Sequence, residues 1–132
     1  MPVTSSENSQ KSRILIVEDE ALVRMFAVDA LDDAGFAIAA AANATDAMKV
    51  LQAQEPIDAV VVDLGLPDRP GDQLAAEMRK LRPDLPILIA SGRSERELKE
   101  RFAIDEHVAI MVKPYTGPML LQALRSLGVT PR

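Results

Sequence analysis

The chain has 132 residues, with 20 Asp and Glu against 15 Lys and Arg for a net charge of −5, a length that suits one domain with a single core. It has no cysteine, which excludes disulfides and thiol chemistry, and it lacks a Lys/Arg-rich stretch of the kind that marks nucleic-acid contact. No apolar run approaches the ~18 residues of a membrane span.

The aromatic residues are Phe26, Phe36, Phe102 and Tyr115. The core must therefore be built from Ala, Val, Leu and Ile, as in α/β folds with buried parallel strands. Residues 1–12 are polar and Ser-rich, without the charged-then-apolar layout of a secretory leader. They are expected as a flexible tail on a soluble, cytoplasmic protein.

Ile14 to Val17 reads as the first strand and ends in Glu18-Asp-Glu20. Val23, Phe26, Ala27, Ala30, Leu31 and Ala34 then recur at helical spacing as an apolar stripe. Gly35 stops that helix. Phe36 to Ala42 is the second strand, although Ala is a poor strand former. Asn43 caps the next helix, with Asp46 in its first turn and Ala47, Val50 and Leu51 inward. Pro56 ends that segment, and Ile57 to Val62 is the third strand, delivering Asp63.

Gly65 to Gly71 is a loop by its Gly and Pro content. A helix follows to about Leu81, with Leu74, Met78 and Leu81 inward, and Arg82-Pro-Asp84 breaks it. Pro86 to Ala90 is the fourth strand, ending in Ser91-Gly92. Ser94 and Glu97 have capping-box spacing for a short helix containing Leu98 and Phe102. Val108 to Val112 is the fifth strand, ending in Lys113-Pro114. The last helix carries Leu120, Leu124 and Leu127, and 128–132 is a short C-terminal tail. Five strands alternating with five helices imply right-handed crossovers and a parallel sheet covered on both faces.

In such a sheet the carboxyl ends of all strands share one edge. Glu18, Asp19, Asp63, Ser91 and Lys113 then meet at a common crevice, where ligands bind in open α/β folds. Taken singly, each has a plain reading. The acids would complement a helix start, Ser91 would begin a turn, and Lys113 would sit on the surface. Their joint placement at four strand ends outweighs those readings. Clustered carboxylates disfavour each other's ionised form, and a hard divalent ion relieves that repulsion. Mg²⁺ uses one or two carboxylates, keeps waters and leaves room for a phosphate oxygen. With Lys113 as fixed charge and Ser91 as hydroxyl donor, the set suits phosphoryl transfer to or from Asp63, driven by positioning and charge neutralisation.

Ile14-Leu-Ile-Val-Glu-Asp-Glu20, Val61-Val-Asp-Leu-Gly-Leu-Pro67, Gly71, Ala90-Ser-Gly92 and Val112-Lys-Pro-Tyr115 form a spaced set. The set resembles the receiver domain of two-component response regulators, over residues 13–127. The resemblance implies a flavodoxin-like doubly wound (βα)5 fold with a five-stranded parallel sheet of order 2-1-3-4-5. It implies that Asp63 accepts a phosphoryl group from a sensor histidine kinase or a histidine phosphotransfer protein. Asp19 would bind Mg²⁺ directly and Glu18 through water, with Asp63 and the Gly65 backbone carbonyl as further ligands. Ser91 and the Gly92 N–H would bond the phosphoryl oxygens, Lys113 would pair with them, and the Lys113–Pro114 bond would be cis.

Three departures mark this chain. Glu18 stands where the family more often has Asp. Ile110 stands where the usual switch carries Tyr or Phe. Residues 104–108 lack the family's Gly-Ala pair. Ser91-Gly92 and the altered stretch before Lys113 resemble a divergent group of stand-alone receivers. The expectation is a single-domain response regulator, not an enzyme but assisting its own phosphorylation and dephosphorylation. It would be a monomer or weak dimer that acts through protein contacts of the 94–127 face, without direct nucleic-acid or membrane contact. A receiver cut from a hybrid kinase is a variant of the same reading.

Other functions fit less well. A phosphatase of the haloacid-dehalogenase type needs an acid two residues after the nucleophile, and Gly65 occupies that place. A phosphorylation-independent pseudo-receiver would not need the acid set, serine and lysine it retains. His107 has no His or Cys partner for a zinc site, and the glycines form no GxxxxGK loop. Arg93 and the charged run to Arg101 read as a solvated helix face.

Overall fold

The computed structural model describes residues 11–53, 56–101 and 107–131, with Glu95 and Arg101 described by backbone alone. In chain order the elements are β1 (Arg13–Val17), α1 (Ala21–Asp33), β2 (Ala37–Ala41), α2 (Ala44–Gln52), β3 (Ala59–Asp63), α3 (Gly71–Leu81), β4 (Ile87–Ser91), α4 (Glu95–Arg101), β5 (Val108–Val112) and α5 (Gly117–Ser126). All neighbouring strands pair in parallel, in the order β2-β1-β3-β4-β5. This is the flavodoxin-like doubly wound sheet that the alternating pattern implies.

Covering helices on both faces make every residue of β3 and β4 buried, so these strands read as continuous apolar runs. One face carries Leu15, Val17, Val60 and Val62 against Leu51 of α2 and Leu74 and Met78 of α3. The other carries Ile14, Ile16, Val61 and Leu88 against Leu31 of α1 and Leu120 and Leu124 of α5. Strand β2 is Ala-Ile-Ala-Ala-Ala. It forms despite poor propensity because it pairs with β1 over five residues, from Arg13↔Ala37 to Val17↔Ala41. Pairing outweighs intrinsic preference here.

The caps behave as the side chains dictate. Asn43 Oδ1 accepts the Asp46 N–H at 2.8 Å, Ser94 Oγ accepts the Glu97 N–H at 3.2 Å, and Thr116 Oγ1 accepts the Met119 N–H at 3.2 Å. Gly35 ends α1 at φ +101°, a backbone region that favours glycine.

Several expectations need correction. Leu81, expected inward, is 46% exposed. It is the last residue of α3, and there Leu85 enters the core instead. Phe26 is 44% exposed because the buried stripe of α1 narrows to Ala27 and Leu31; its ring rests 6.0 Å from that of Tyr115. The second and third strands are shorter at their starts than their apolar runs, since Phe36, Ile57 and Asp58 lead into them. Packing continues past Leu127, where a tail is expected: Val129 is buried and Ser12 Oγ donates to the Thr130 carbonyl at 2.7 Å. Phe102 and residues 104–106 lie outside the described residues.

Candidate functional site

The register of the sheet brings the strand ends together. Glu18 follows β1 and extends its ladder, its N–H donating to the Ala41 carbonyl at 3.0 Å, which buries the side chain. Asp19 is the next residue and is exposed. Asp63 closes β3 opposite Ala90 of β4, and Ser91 closes β4 opposite Val112 of β5; both are buried. The Lys113 N–H donates to the Ser91 carbonyl at 2.7 Å, which fixes where the lysine leaves the sheet.

Lys113 Nζ lies 2.8 Å from Glu18 Oε1 and 3.1 Å from Asp63 Oδ1. One ammonium thus bridges carboxylates from two other strands. Glu18, Asp19 and Asp63 each offer an oxygen, all within 4.8 Å of one another. The donor set is entirely oxygen and anionic, which fits a hard divalent cation. A crevice of about 840 Å³ opens over the group, with Asp19, Asp63, Gly65, Ser91 and Lys113 among its lining residues.

The electrostatics follow from burial. Loss of water pushes the Glu18 carboxyl up to about 6; the Lys113 ammonium and the Glu20 N–H pull it back, and the Asp63 charge pushes it higher. Burial alone would lower Lys113, but hydrogen bonds to Glu18 and Asp63 and their charges outweigh it, so the ammonium is held above its ordinary range. Burial and the Glu18 charge raise the Tyr115 hydroxyl.

The remaining sequence-derived residues are placed as follows. Gly65 is exposed, and a Cβ there would stand 3.7 Å from Asp63 Oδ2, so the loop leans over the carboxylate. Gly92 faces open space. Ser91 Oγ accepts the Arg93 N–H at 3.1 Å. Ile110 is a half-buried residue of β5 paired with Ile89. The Lys113–Pro114 peptide is cis. The Arg93 guanidinium is exposed at the rim and pairs with Glu97 at 3.6 Å. His107 precedes β5, at the opposite end from Lys113, and lies 3.8 Å from Asp84. It takes no part in the crevice.

Two supporting residues, Arg24 and Asp68, emerge only in three dimensions, and the structure supplies the packing reason for a third, Gly71 of the spaced motif set. Arg24 Nη1 donates to the Glu18 carbonyl at 2.9 Å and the Asp19 carbonyl at 3.4 Å, so a helical arginine braces the turn that presents both acids. Gly71 starts α3 against the end of β3, where a Cβ would fall 2.6 Å from the Asp63 carbonyl oxygen and 2.6 Å from Leu64 Cα. Asp68, in the loop after Asp63, accepts the Ala44 N–H at 2.9 Å, the Thr45 N–H at 3.0 Å and the Thr45 hydroxyl at 2.9 Å. An arginine on a charged helix face and an acid between prolines are too common to signal such roles, while the motif set marks Gly71 without giving its packing reason.

The backbone bonds from Ala44 and Thr45 hold the Asp68 carboxyl down to about 2. A carboxyl depressed in the folded state contributes stability that is complete above its ordinary value near 3.8 and is lost as pH falls through about 2. The Asp68 side-chain carbon resonance is therefore expected to stay flat between about pH 7 and pH 4 in an NMR titration. A change already under way at pH 4, with a midpoint near the ordinary 3.8, would mean that these bonds do not form in solution.

Comparison with known proteins bears on this arrangement. The response regulator receiver domain matches residues 14–125. The response regulator receiver protein CpdR of Brucella abortus is 30% identical over 103 residues, covering 78% of this chain and 85% of that protein. Longer relatives also match: the chain spans 13% of a sensor kinase and 60% of a transcriptional regulatory protein. Among solved structures, a response regulator receiver protein of Sinorhizobium medicae has a TM-score of 0.80 and 30% identity, covering 89% of this chain and 94% of that one. Thermotoga maritima TrrA, crystallised with Mg²⁺ and BeF, has a TM-score of 0.74 and 27% identity, covering 88% and 98%.

Proposed function

Because the chain belongs to the response regulator receiver domain family, we propose that Asp63 is its phosphoacceptor, charged by a phosphohistidine of a sensor kinase or a phosphotransfer protein. The observation that carries this reading is the ammonium of Lys113 bridging Glu18 and Asp63 beside an open crevice. TrrA, solved with Mg²⁺ and BeF, lends support for Mg²⁺ as the cation. The residues that would hold it are Glu18, Asp19, Asp63 and the carbonyl of Gly65. Bound there, Mg²⁺ would supply positive charge to the phosphoryl oxygens.

An Asp63 carboxylate oxygen attacks phosphorus. A P–O bond forms as the P–N bond to the donor imidazole breaks, and the electron pair leaves with the imidazole, which takes up a proton. Lys113 then exchanges its Asp63 contact for a phosphoryl oxygen. The Ser91 hydroxyl already accepts the Arg93 N–H, so its own proton is free to bond another phosphoryl oxygen, next to the Gly92 N–H. In dephosphorylation, water attacks the same phosphorus, the P–O bond to Asp63 breaks, and inorganic phosphate leaves with the carboxylate restored. The protein thus serves its own phosphorylation and dephosphorylation rather than turning over a separate substrate.

On this reading residues 13–127 form the receiver unit, acting in the cytoplasm as a monomer or weak dimer. Output runs through protein contacts of the 94–127 face, where Ser91 and Lys113 adjoin α4, β5 and α5, and Ile110 requires a switch that does not swing an aromatic ring. Among the described residues no helix is long and apolar enough to cross a membrane.

Incubation with Mg²⁺ and acetyl phosphate is expected to add one phosphoryl group to the intact mass of wild type and none to Asp63→Asn. An unchanged wild-type mass would overturn phosphoacceptance. Amide exchange of the phosphorylated protein is expected to change over 94–101 and 107–127, and an unchanged pattern there would overturn the assigned output face.

A further inference from the structure

The loop that leaves Asp63 is fastened at several points. Its base is closed by the Leu64 N–H donating to the Ala90 carbonyl and the Gly71 N–H donating to the Leu64 carbonyl, each at 3.2 Å. Leu66 anchors its middle in the core. Beyond that, Arg69 pairs with Glu77 of α3, and the Asp68 carboxylate takes three hydrogen bonds from the first turn of α2. The loop is thus tied to a helix on each side, and Gly65 lies between the buried Leu66 and the Asp63 carboxylate.

We propose that Asp68 is a positioning residue for the cation site: by gripping the start of α2 it holds Gly65 over the Asp63 carboxylate and so raises affinity for a divalent cation. This rests on Glu18, Asp19, Asp63 and Gly65 being the groups that hold the cation. A helix cap and a loop tie are separable here, because α2 has two caps. Asn43 satisfies the Asp46 N–H, and both of its side-chain hydrogen bonds go to Asp46. Asp68 satisfies the two N–H groups before it, those of Ala44 and Thr45, which would otherwise lack intrahelical partners. Losing either cap weakens the helix, but losing Asp68 alone releases the loop. Coupling is reciprocal, so a cation in the crevice must tighten the Asp68 bonds by the same factor by which those bonds favour the cation.

The test is a Mg²⁺ titration followed by the amide shifts of crevice residues in wild type, Asp68→Ala, Asp68→Asn and Asn43→Ala. The dissociation constant is expected to rise on the order of fivefold in Asp68→Ala. It should rise less in Asp68→Asn, whose amide oxygen still accepts, and not at all in Asn43→Ala, although that variant also unfolds at lower denaturant. In wild type, Mg²⁺ is expected to slow exchange of the Ala44 and Thr45 amides. Wild-type affinity in Asp68→Ala, or an equal loss in Asn43→Ala, would overturn the positioning role. A wild type that binds no Mg²⁺ would instead overturn the cation site itself, and the inference with it.

Discussion

A Lys113→Met protein is expected to stay folded, to bind Mg²⁺ more tightly than wild type, and to accept phosphate from acetyl phosphate ~100-fold more slowly. Lys113 is the bridging charge between Glu18 and Asp63. Methionine keeps much of the apolar stem but removes the ammonium, which leaves two buried carboxylates facing each other. Removing one partner of a buried ionic cluster costs about 3–5 kcal/mol, so the metal-free variant should unfold at clearly lower urea. The more negative crevice then attracts a divalent cation more strongly, and Mg²⁺ should restore much of that loss. It cannot restore the rate, because the charge that follows the phosphoryl group is gone. Urea unfolding with and without Mg²⁺, together with labelling rates by intact mass, separates these effects. A labelling rate equal to wild type would remove Lys113 from the chemistry.

The second large effect is expected at Gly71. Gly→Ala substitutions where the backbone suits alanine are commonly stabilising. Here the sign reverses, because the new methyl would sit 2.6 Å from the Asp63 carbonyl oxygen and 2.6 Å from Leu64 Cα. Both are backbone atoms at the end of a fully buried strand, so neither can swing aside as a side-chain tip can. Overpacking of this kind costs roughly 1–3 kcal/mol, and any relief must displace Asp63 or the start of α3. Gly71→Ala is therefore expected to lower the unfolding midpoint and to slow labelling about tenfold. Gly92→Ala, where a methyl meets nothing within 4 Å, is the control for stability. Wild-type stability in Gly71→Ala would show that the contact relaxes freely.

The parts legible in the sequence were those set by short-range pattern. The apolar runs before Glu18, Asp63, Ser91 and Lys113 end where the strands end, or within a residue of it, because buried parallel strands tolerate no polar interruption. Asn43 and Ser94 announce their helices for the same local reason. Convergence of the five polar residues on one edge followed from the rule that parallel strands share a direction. What stayed hidden depends on distances the chain order does not encode. Asp68 reaches residues 23 and 24 positions earlier, and Gly71 is constrained by a close approach that its own neighbours do not reveal. Phe26 and Leu81 fit the helical period yet face outward, since periodicity marks a face without saying how wide the buried stripe is or where it stops.

Strand β2 presents Ala39 and Ala41 toward α2, and α2 answers with Ala44 and Ala47 as well as Leu51. Methyl groups meeting methyl groups interdigitate little, so this seam resists sliding less than one built from branched side chains. The larger contacts of the helix come from Leu51, Met48 and Val50 against the same core, and the Asp68 tether adds to them. Bulkier residues at the fully buried Ala44 or Ala47 would overpack this seam and shift the helix start to which Asp68 ties the loop.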